Sequence, residues 1–225
     1  VALASNGGAV VGVTAAPDLK IHLEPREGEP PEVGEAVIDY LFPDGANGRI
    51  PIAAITGTNG KTTVTRLISH ILCASGKTVG MTCTDGVYVN GRRIQSGDCS
   101  GPLSARKVLM NAAVEMAVLE TARGGILRGG LAFNECQVAV VTNIGYGDHL
   151  GVSDMNSPED LARAKQTIVE IVANDGTAVL NAADPLVAGM AERCSGRVIY
   201  FALDPEHPVL AAHRAAGGAT ASVRG

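Results

Sequence analysis

The sequence predicts an α/β protein with a mostly parallel sheet flanked by helices. Three observations lead there. Apolar runs without polar alternation, at residues 114–119 and 138–142, read as strands buried on both faces. Stretches of helical period alternate with such runs, the order that builds a parallel sheet. Glycine, with 28 residues in a chain of 225, is concentrated beside polar residues just after predicted strands, where tight turns approach ligands.

The elements follow in order. Residues 9–14 read as a short strand and residues 15–33, rich in Pro and Glu, as extended linker. A short helix is expected over 35–41 and a turn at DGANG, with a domain boundary near Asn47. Residues 50–56 form an apolar strand. Val64, Leu67, Ile68, Ile71 and Leu72 then recur on one helical face. A second strand spans 78–82, a hairpin 87–94, and a helix starts at Pro102. Ser157-Pro158-Glu159-Asp160 carries a cap, a first-turn proline and acidic residues, so a helix follows with Leu161, Ala164, Ile168, Ile171 and Val172 on one face. Strands at 177–180 and 198–201 flank a helix over 185–193, and residues 211–225 read as linker.

Composition excludes several classes. The net charge of −5 argues against a basic nucleic-acid binder, and aromatics at 3% without Trp argue against a stacking platform for single strands. No apolar run is long enough for a membrane span. Five cysteines without a C-x-x-C pair fit reduced thiols in a cytoplasmic protein. Both ends read as the interior of a longer chain.

The chemistry lies in four places. Gly57-Thr58-Asn59-Gly60-Lys61-Thr62-Thr63 links a strand to a helix. Its glycines let backbone N–H groups face an anion at the positive end of the helix. Lys61 is placed to reach phosphates, and the Thr62 hydroxyl to ligate Mg²⁺. Glu120 ends a buried strand, where parallel sheets bind ligands, and can hold a metal. Arg123-Gly124-Gly125 reads as a tight anion-facing loop. His149, in TNIGYGDH beyond another buried strand, is a candidate metal ligand oriented by Asp148. Lys165 neighbours the apolar face of its helix, where a lysine is costly unless paired or modified. The SGDCSGPLSAR loop can hold an acceptor substrate, and Asn181 and Asp184 reach nucleotide or cap the next helix.

GTNGKTT, ETARGGILRGGL, the TNIGYGDHLG segment and the Lys165 helix, in this order, resemble the central ATP-binding domain of the Mur ligases, a P-loop NTPase-like fold. Within that superfamily GDCSGP, ETARGGIL and DHLG are most similar to the cyanophycin synthetase family. The resemblance covers about residues 50–223. Residues 1–48 resemble the tail of an ATP-grasp domain and its linker, although Gly12 and Thr14 stand where that family has Glu and Asn. The division implied is therefore 1–48 and 49–225.

The resemblance implies an ATP-dependent amide-forming ligase. ATP would phosphorylate an aspartate side-chain carboxylate, and the amine of Arg would displace the phosphate. It implies ATP and Mg²⁺ as cofactors. The implied roles are phosphate binding by residues 57–63, metal binding by Thr62, Glu120, His149 and Lys165, and catalysis by Lys61, His149 and Lys165, with Lys165 as a carbamate. An acidic polymer or peptide acceptor, Arg, the rest of a parent chain and a homo-oligomer are the implied partners. Ligation by this segment alone is not expected. Two further readings stand beside it: a folylpolyglutamate or muramyl ligase, and a nucleotide-binding scaffold without ligation.

Overall fold

The computed structural model describes residues 16, 18–29, 31–43, 46–145 and 157–223. The chain divides into two compact units, residues 1–49 and 50–225. In the first, α1 (Lys20–Leu23) and α2 (Val33–Leu41) are helical, so part of the expected extended linker folds as a turn of helix. The strand expected over 9–14 lies outside the described residues.

The second unit is a nine-stranded sheet, counted among the described residues, in the order β4-β3-β2-β5-β1-β6-β7-β8-β9. The strands are β1 (Ile52–Thr56), β2 (Val79–Cys83), β3 (Gly86–Val89), β4 (Arg92–Ser96), β5 (Met116–Glu120), β6 (Cys136–Val141), β7 (Val172–Asn181), β8 (Arg197–Ala202) and β9 (Ala219–Ser222). Neighbours from β2 to β9 run parallel, while β3 and β4 add an antiparallel edge. β1 lies between β5 and β6, with Ile55 opposite Glu120 and Thr56 opposite Val141. The carboxyl ends of these three strands therefore meet, and the connections leaving them diverge there.

Alternate residues face opposite sides of the sheet. Ile55, Val118 and Val140 lie beneath α3 (Lys61–Ala74), which contributes Val64, Ile68 and Leu72. Ala54, Leu119 and Val141 face the other side, with Val108 of α4 (Pro102–Leu109), Leu161 and Ile168 of α6 (Pro158–Glu170), Val187 of α7 (Pro185–Ala188) and Leu210 of α8 (Pro208–Ala215). Each such fully buried aliphatic contributes roughly 1.5–3 kcal/mol through burial. Leu67 and Ile71, expected on the buried face of α3, are instead both 57% exposed. The apolar stripe of this helix is wider than the strip that meets the sheet.

Three other expectations change. Arg123-Gly124-Gly125 opens a helix, α5 (Arg123–Gly129), rather than a loop. A Cβ on Gly125 would lie 2.9 Å from Gly101 Cα, and one on Gly129 3.0 Å from Pro102 Cγ, so glycine lets α5 press against the start of α4. The helix expected over 185–193 is α7 followed by a 3-10 turn at Gly189–Arg193. The expected terminal linker instead contains the last turns of α8 and all of β9. No helix among the described residues is long and apolar enough to cross a membrane.

Candidate functional site

β1 ends at Thr56, and the chain turns through residues 57–60 into α3. Gly57 has φ +142° and Gly60 φ +84°, backbone conformations that favour glycine. A Cβ on Gly57 would collide with the Thr142 hydroxyl. The segment after β6 clasps the turn from the side. Thr58 N donates to Asn143 O at 2.9 Å and Asn59 N to Asn143 Oδ1 at 3.0 Å. Asn59 O accepts from Thr142 Oγ1 at 2.6 Å and Asn143 Nδ2 at 3.1 Å, and Gly145 N donates to Thr58 Oγ1 at 2.9 Å. The turn is preorganised at the N-terminus of a fourteen-residue helix, the arrangement that receives a phosphate.

Lys61 Nζ donates to Thr58 O at 2.8 Å, which folds its ammonium back over the turn. Thr62 Oγ1 donates to Glu120 Oε2 at 2.9 Å. Its single proton is then spent, so the Thr84 hydroxyl, 3.1 Å away, donates to the Thr62 oxygen. Thr84 N also donates to Glu120 Oε2 at 3.3 Å. Thr63 is exposed on the first turn of α3.

Glu120 is 1% exposed, and its Oε1 has no hydrogen-bond partner among the described residues. Burial pushes its carboxyl above the ordinary range, against the opposing pull of Thr62 and Lys61. A buried, unpartnered carboxylate oxygen is costly. With the Thr62 hydroxyl beside it, the donor set fits a hard divalent cation. Asp98 adds negative charge near Glu120 and accepts from Ser100 N and Oγ at 3.1 and 2.6 Å.

Lys165, on α6, is 2% exposed, and its Nζ donates to Gly57 O at 2.7 Å. Burial, then the nearby charges of Lys61 and Arg123, push its pKa down to about 7. A substantial share of the amine, about half at pH 7, is therefore the nucleophilic free base. A surface position, the simplest reading of a lysine in that pattern, is excluded.

Lys61, Thr62, Glu120 and Lys165 thus converge on the 57–60 turn. His149 lies outside the described residues. Asp184 caps α7, accepting from Leu186 N and Val187 N at 3.1 and 3.3 Å, and its other oxygen accepts from Ile144 N at 2.6 Å. Asn181 Nδ2 donates to Thr142 O at 2.8 Å. Asn181 at the end of β7 and Asp184 just after it thus brace the 142–144 segment. Sequence reasoning missed Thr84 and the clasping role of Thr142 and Asn143. The signal available for Thr84 was its place in a Thr-Asp-Gly turn directly after a buried strand.

Comparison with known proteins agrees with this architecture. The chain is 51% identical over 211 residues to a protein named cyanophycin synthetase from Synechocystis sp., covering 94% of this chain and 24% of that protein. A second protein of that name, from Crocosphaera subtropica, is 50% identical over 214 residues, covering 95% and 24%. The chain thus spans about a quarter of the length of these curated relatives. Among solved structures, a UDP-N-acetylmuramoyl-L-alanyl-D-glutamate–2,6-diaminopimelate ligase superposes with a TM-score of 0.60 at 22% identity, covering 76% of this chain and 35% of that one. Escherichia coli FolC in complex with DHPP and ADP gives 0.52 at 22% identity, covering 69% and 43%. Residues 55–221 match the Mur ligase middle domain, a stretch that takes in every strand from the end of β1 to β9, and the chain belongs to that family.

Proposed function

We propose that this chain is the ATP-binding segment of an amide-forming ligase of the cyanophycin synthetase type, joining Arg to an aspartate side-chain carboxylate. The observation that carries the reading is the closure of the 57–60 turn over Glu120 and Lys165 at the meeting of three parallel carboxyl ends. The likeness in sequence to cyanophycin synthetases, about half of the residues being identical over nearly the whole of this chain, and the ADP held by the FolC structure, support substrate and nucleotide.

The residues divide the work. Backbone N–H groups of the 57–60 turn and Lys61 hold the phosphates and offset the charge that develops on the transferring phosphoryl group. Thr62 and Glu120 would hold Mg²⁺, with His149 as a further ligand; the cation would supply neutralisation of phosphate charge there. Lys165, held near neutrality, can attack CO₂, forming an N–C bond and releasing one proton; the carbamate so made would hold a second cation. An apolar cavity of ≈ 530 Å³ at the carboxyl ends of β7–β9, lined by Asn181, Phe201, Leu203 and His207, suits the nucleobase. We assign residues 1–48 to the end of a preceding ATP-grasp domain and linker, consistent with the division at 49/50.

The test is phosphate release by the full-length protein with ATP, Mg²⁺, an aspartate-polymer primer and each amino acid in turn. Release that requires both primer and Arg is expected. Stimulation by a different amino acid would reassign the substrate, and release indifferent to both would make the segment a nucleotide-binding scaffold.

A further inference from the structure

The turn between β2 and β3 consists of Thr84 and Asp85, closed by the pairing of Cys83 with Gly86. A threonine in so tight a turn ordinarily bonds to its own backbone. Thr84 reaches instead across 22 residues to α3, where its hydroxyl meets Thr62 Oγ1 at 3.1 Å. It also reaches across 36 residues to the end of β5, where its N–H donates to Glu120 Oε2 at 3.3 Å. This exposed turn residue thus touches both side chains of the cation pair.

These contacts fix directions. A hydroxyl has one proton and two lone pairs. Thr62 gives its proton to Glu120 Oε2 and accepts from Thr84, so one lone pair of its oxygen remains. Glu120 Oε2 takes both the Thr62 hydroxyl and the Thr84 N–H, which leaves Oε1 bare among the described residues. The turn is pinned from outside as well. Asp85 Oδ2 pairs with Arg66, one helical turn after Thr62 on α3, and Asp85 Oδ1 accepts from the Cys83 thiol at 2.7 Å. Arg66 also donates to Tyr88 Oη at 3.3 Å and lies over the Tyr88 ring, 5.5 Å from its centroid. Both partners of the ion pair are 47% exposed, and pairs so exposed add little stability. Their consequence is geometric: Thr62 and Arg66 hold successive residues of one turn.

We propose that Thr84 is a positioning residue for a divalent cation at Thr62 and Glu120, and that the Arg66–Asp85 pair holds it in place. The step rests on the reading of Thr62 and Glu120 as cation ligands. Through its hydroxyl and its N–H, Thr84 keeps the free lone pair of Thr62 and the bare oxygen of Glu120 fixed in direction before a cation arrives. Binding then requires less rearrangement of either ligand, the advantage that outer hydrogen-bond partners give to a metal site.

The experiment measures Mn²⁺ binding to the full-length protein saturated with ADP, from the electron spin resonance signal of unbound Mn²⁺, and so needs no turnover. The Mn²⁺ released by Glu120→Gln marks the site. Thr84→Val, which removes the hydroxyl at nearly constant size, is expected to weaken that Mn²⁺ about tenfold, and Thr84→Ser to recover most of the loss. Asp85→Ala leaves Thr84 in place but frees its turn, and should lose a smaller part. ADP affinity without metal should be unchanged in all three, which separates positioning from a collapsed nucleotide site. In turnover assays, excess Mg²⁺ should recover most of kcat in Thr84→Val. Equal loss in Thr84→Val and Thr84→Ser overturns the proposal, because the hydroxyl then has no specific part. So does unchanged Mn²⁺ affinity in Thr84→Val alongside a loss in Glu120→Gln, which leaves the cation reading standing. Mn²⁺ binding indifferent to Glu120→Gln as well brings down both. An unchanged affinity in Asp85→Ala overturns the part given to the ion pair.

Discussion

The carboxyl ends of β5, β1 and β6 differ from those of β7, β8 and β9, although one parallel sheet carries both. The central ends are polar and buried: Thr56 is 0%, Glu120 1% and Thr121 6% exposed. The outer ends close on Phe201, Leu203 and Val223 around a mostly apolar cavity. The strands themselves do not make this difference. It comes from what crosses above them. The 57–60 turn, held by the Thr142–Asn143 clasp and by Lys165, crosses the centre, and among the described residues no such set crosses the outer strands. The centre gathers buried polar groups, and the flank is mostly apolar.

The comparison can be broken most sharply at Lys61. Lys61→Ala should lower ATP turnover about 10²–10³-fold, or roughly 3–4 kcal/mol in activation free energy, while its melting temperature shifts by no more than ~4 °C. Turnover near that of the wild type would remove the charge-handling role from the centre. Next comes Lys165. Its pKa of 10.5 in the unfolded chain falls to about 7 in the fold. As pH falls from 10.5 to 7, the unfolded chain takes up a proton that the folded chain refuses, so stability declines across that window and levels off below it. Lys165→Met should abolish that slope in urea unfolding in CO₂-free buffer and gain on the order of a few kcal/mol at pH 7. An unchanged slope would show that the amine is not desolvated as described.

Glu120→Gln keeps the shape of the side chain but removes its charge. The Mg²⁺ concentration for half-maximal turnover should rise about 10–100-fold, and an unaltered Mg²⁺ titration would detach Glu120 from the cation. Asp184 joins the two regions, since it caps α7 and holds Ile144 N. Asp184→Ala should cost ~1–2 kcal/mol in unfolding free energy, with nucleotide affinity falling as the clasp loosens; loss of stability alone would restrict Asp184 to capping. Smallest of all, Leu67→Gln on the exposed side of α3 should change stability by less than ~0.5 kcal/mol. A larger loss in thermal melting would mean that this face is covered in solution.

Much of the centre was legible because its signals are local. A strand, a glycine turn, Lys61 and Thr62 occupy adjacent positions, and Ser157 with Pro158 announces α6 through its own cap, where Ser157 Oγ accepts from Asp160 N at 3.1 Å. What failed to show depends on distant partners. Three glycines in the seven residues of α5 speak for a loop, and only the contact with Gly101 and Pro102 explains why a helix tolerates them. β9 is four small residues whose strand character comes from pairing with β8. The periodicity of α3 could not tell Val64 from Leu67, because the sheet covers only part of its apolar stripe. The pattern placed Lys165 beside an apolar face, but its burial under the Gly57 carbonyl depends on residues 108 positions away.

That remoteness also bears on synthesis. Asn59 and its clasping partner Asn143 are 84 residues apart in sequence. At ~5–20 residues per second, a ribosome takes roughly 4–17 s to pass from one to the other. During that interval the glycine turn has left the ribosome without the side chains that shape it. A nascent chain stalled short of Asn143 should therefore fail to retain nucleotide, and the first moment of ATP capture would mark the arrival of β6 beside β1.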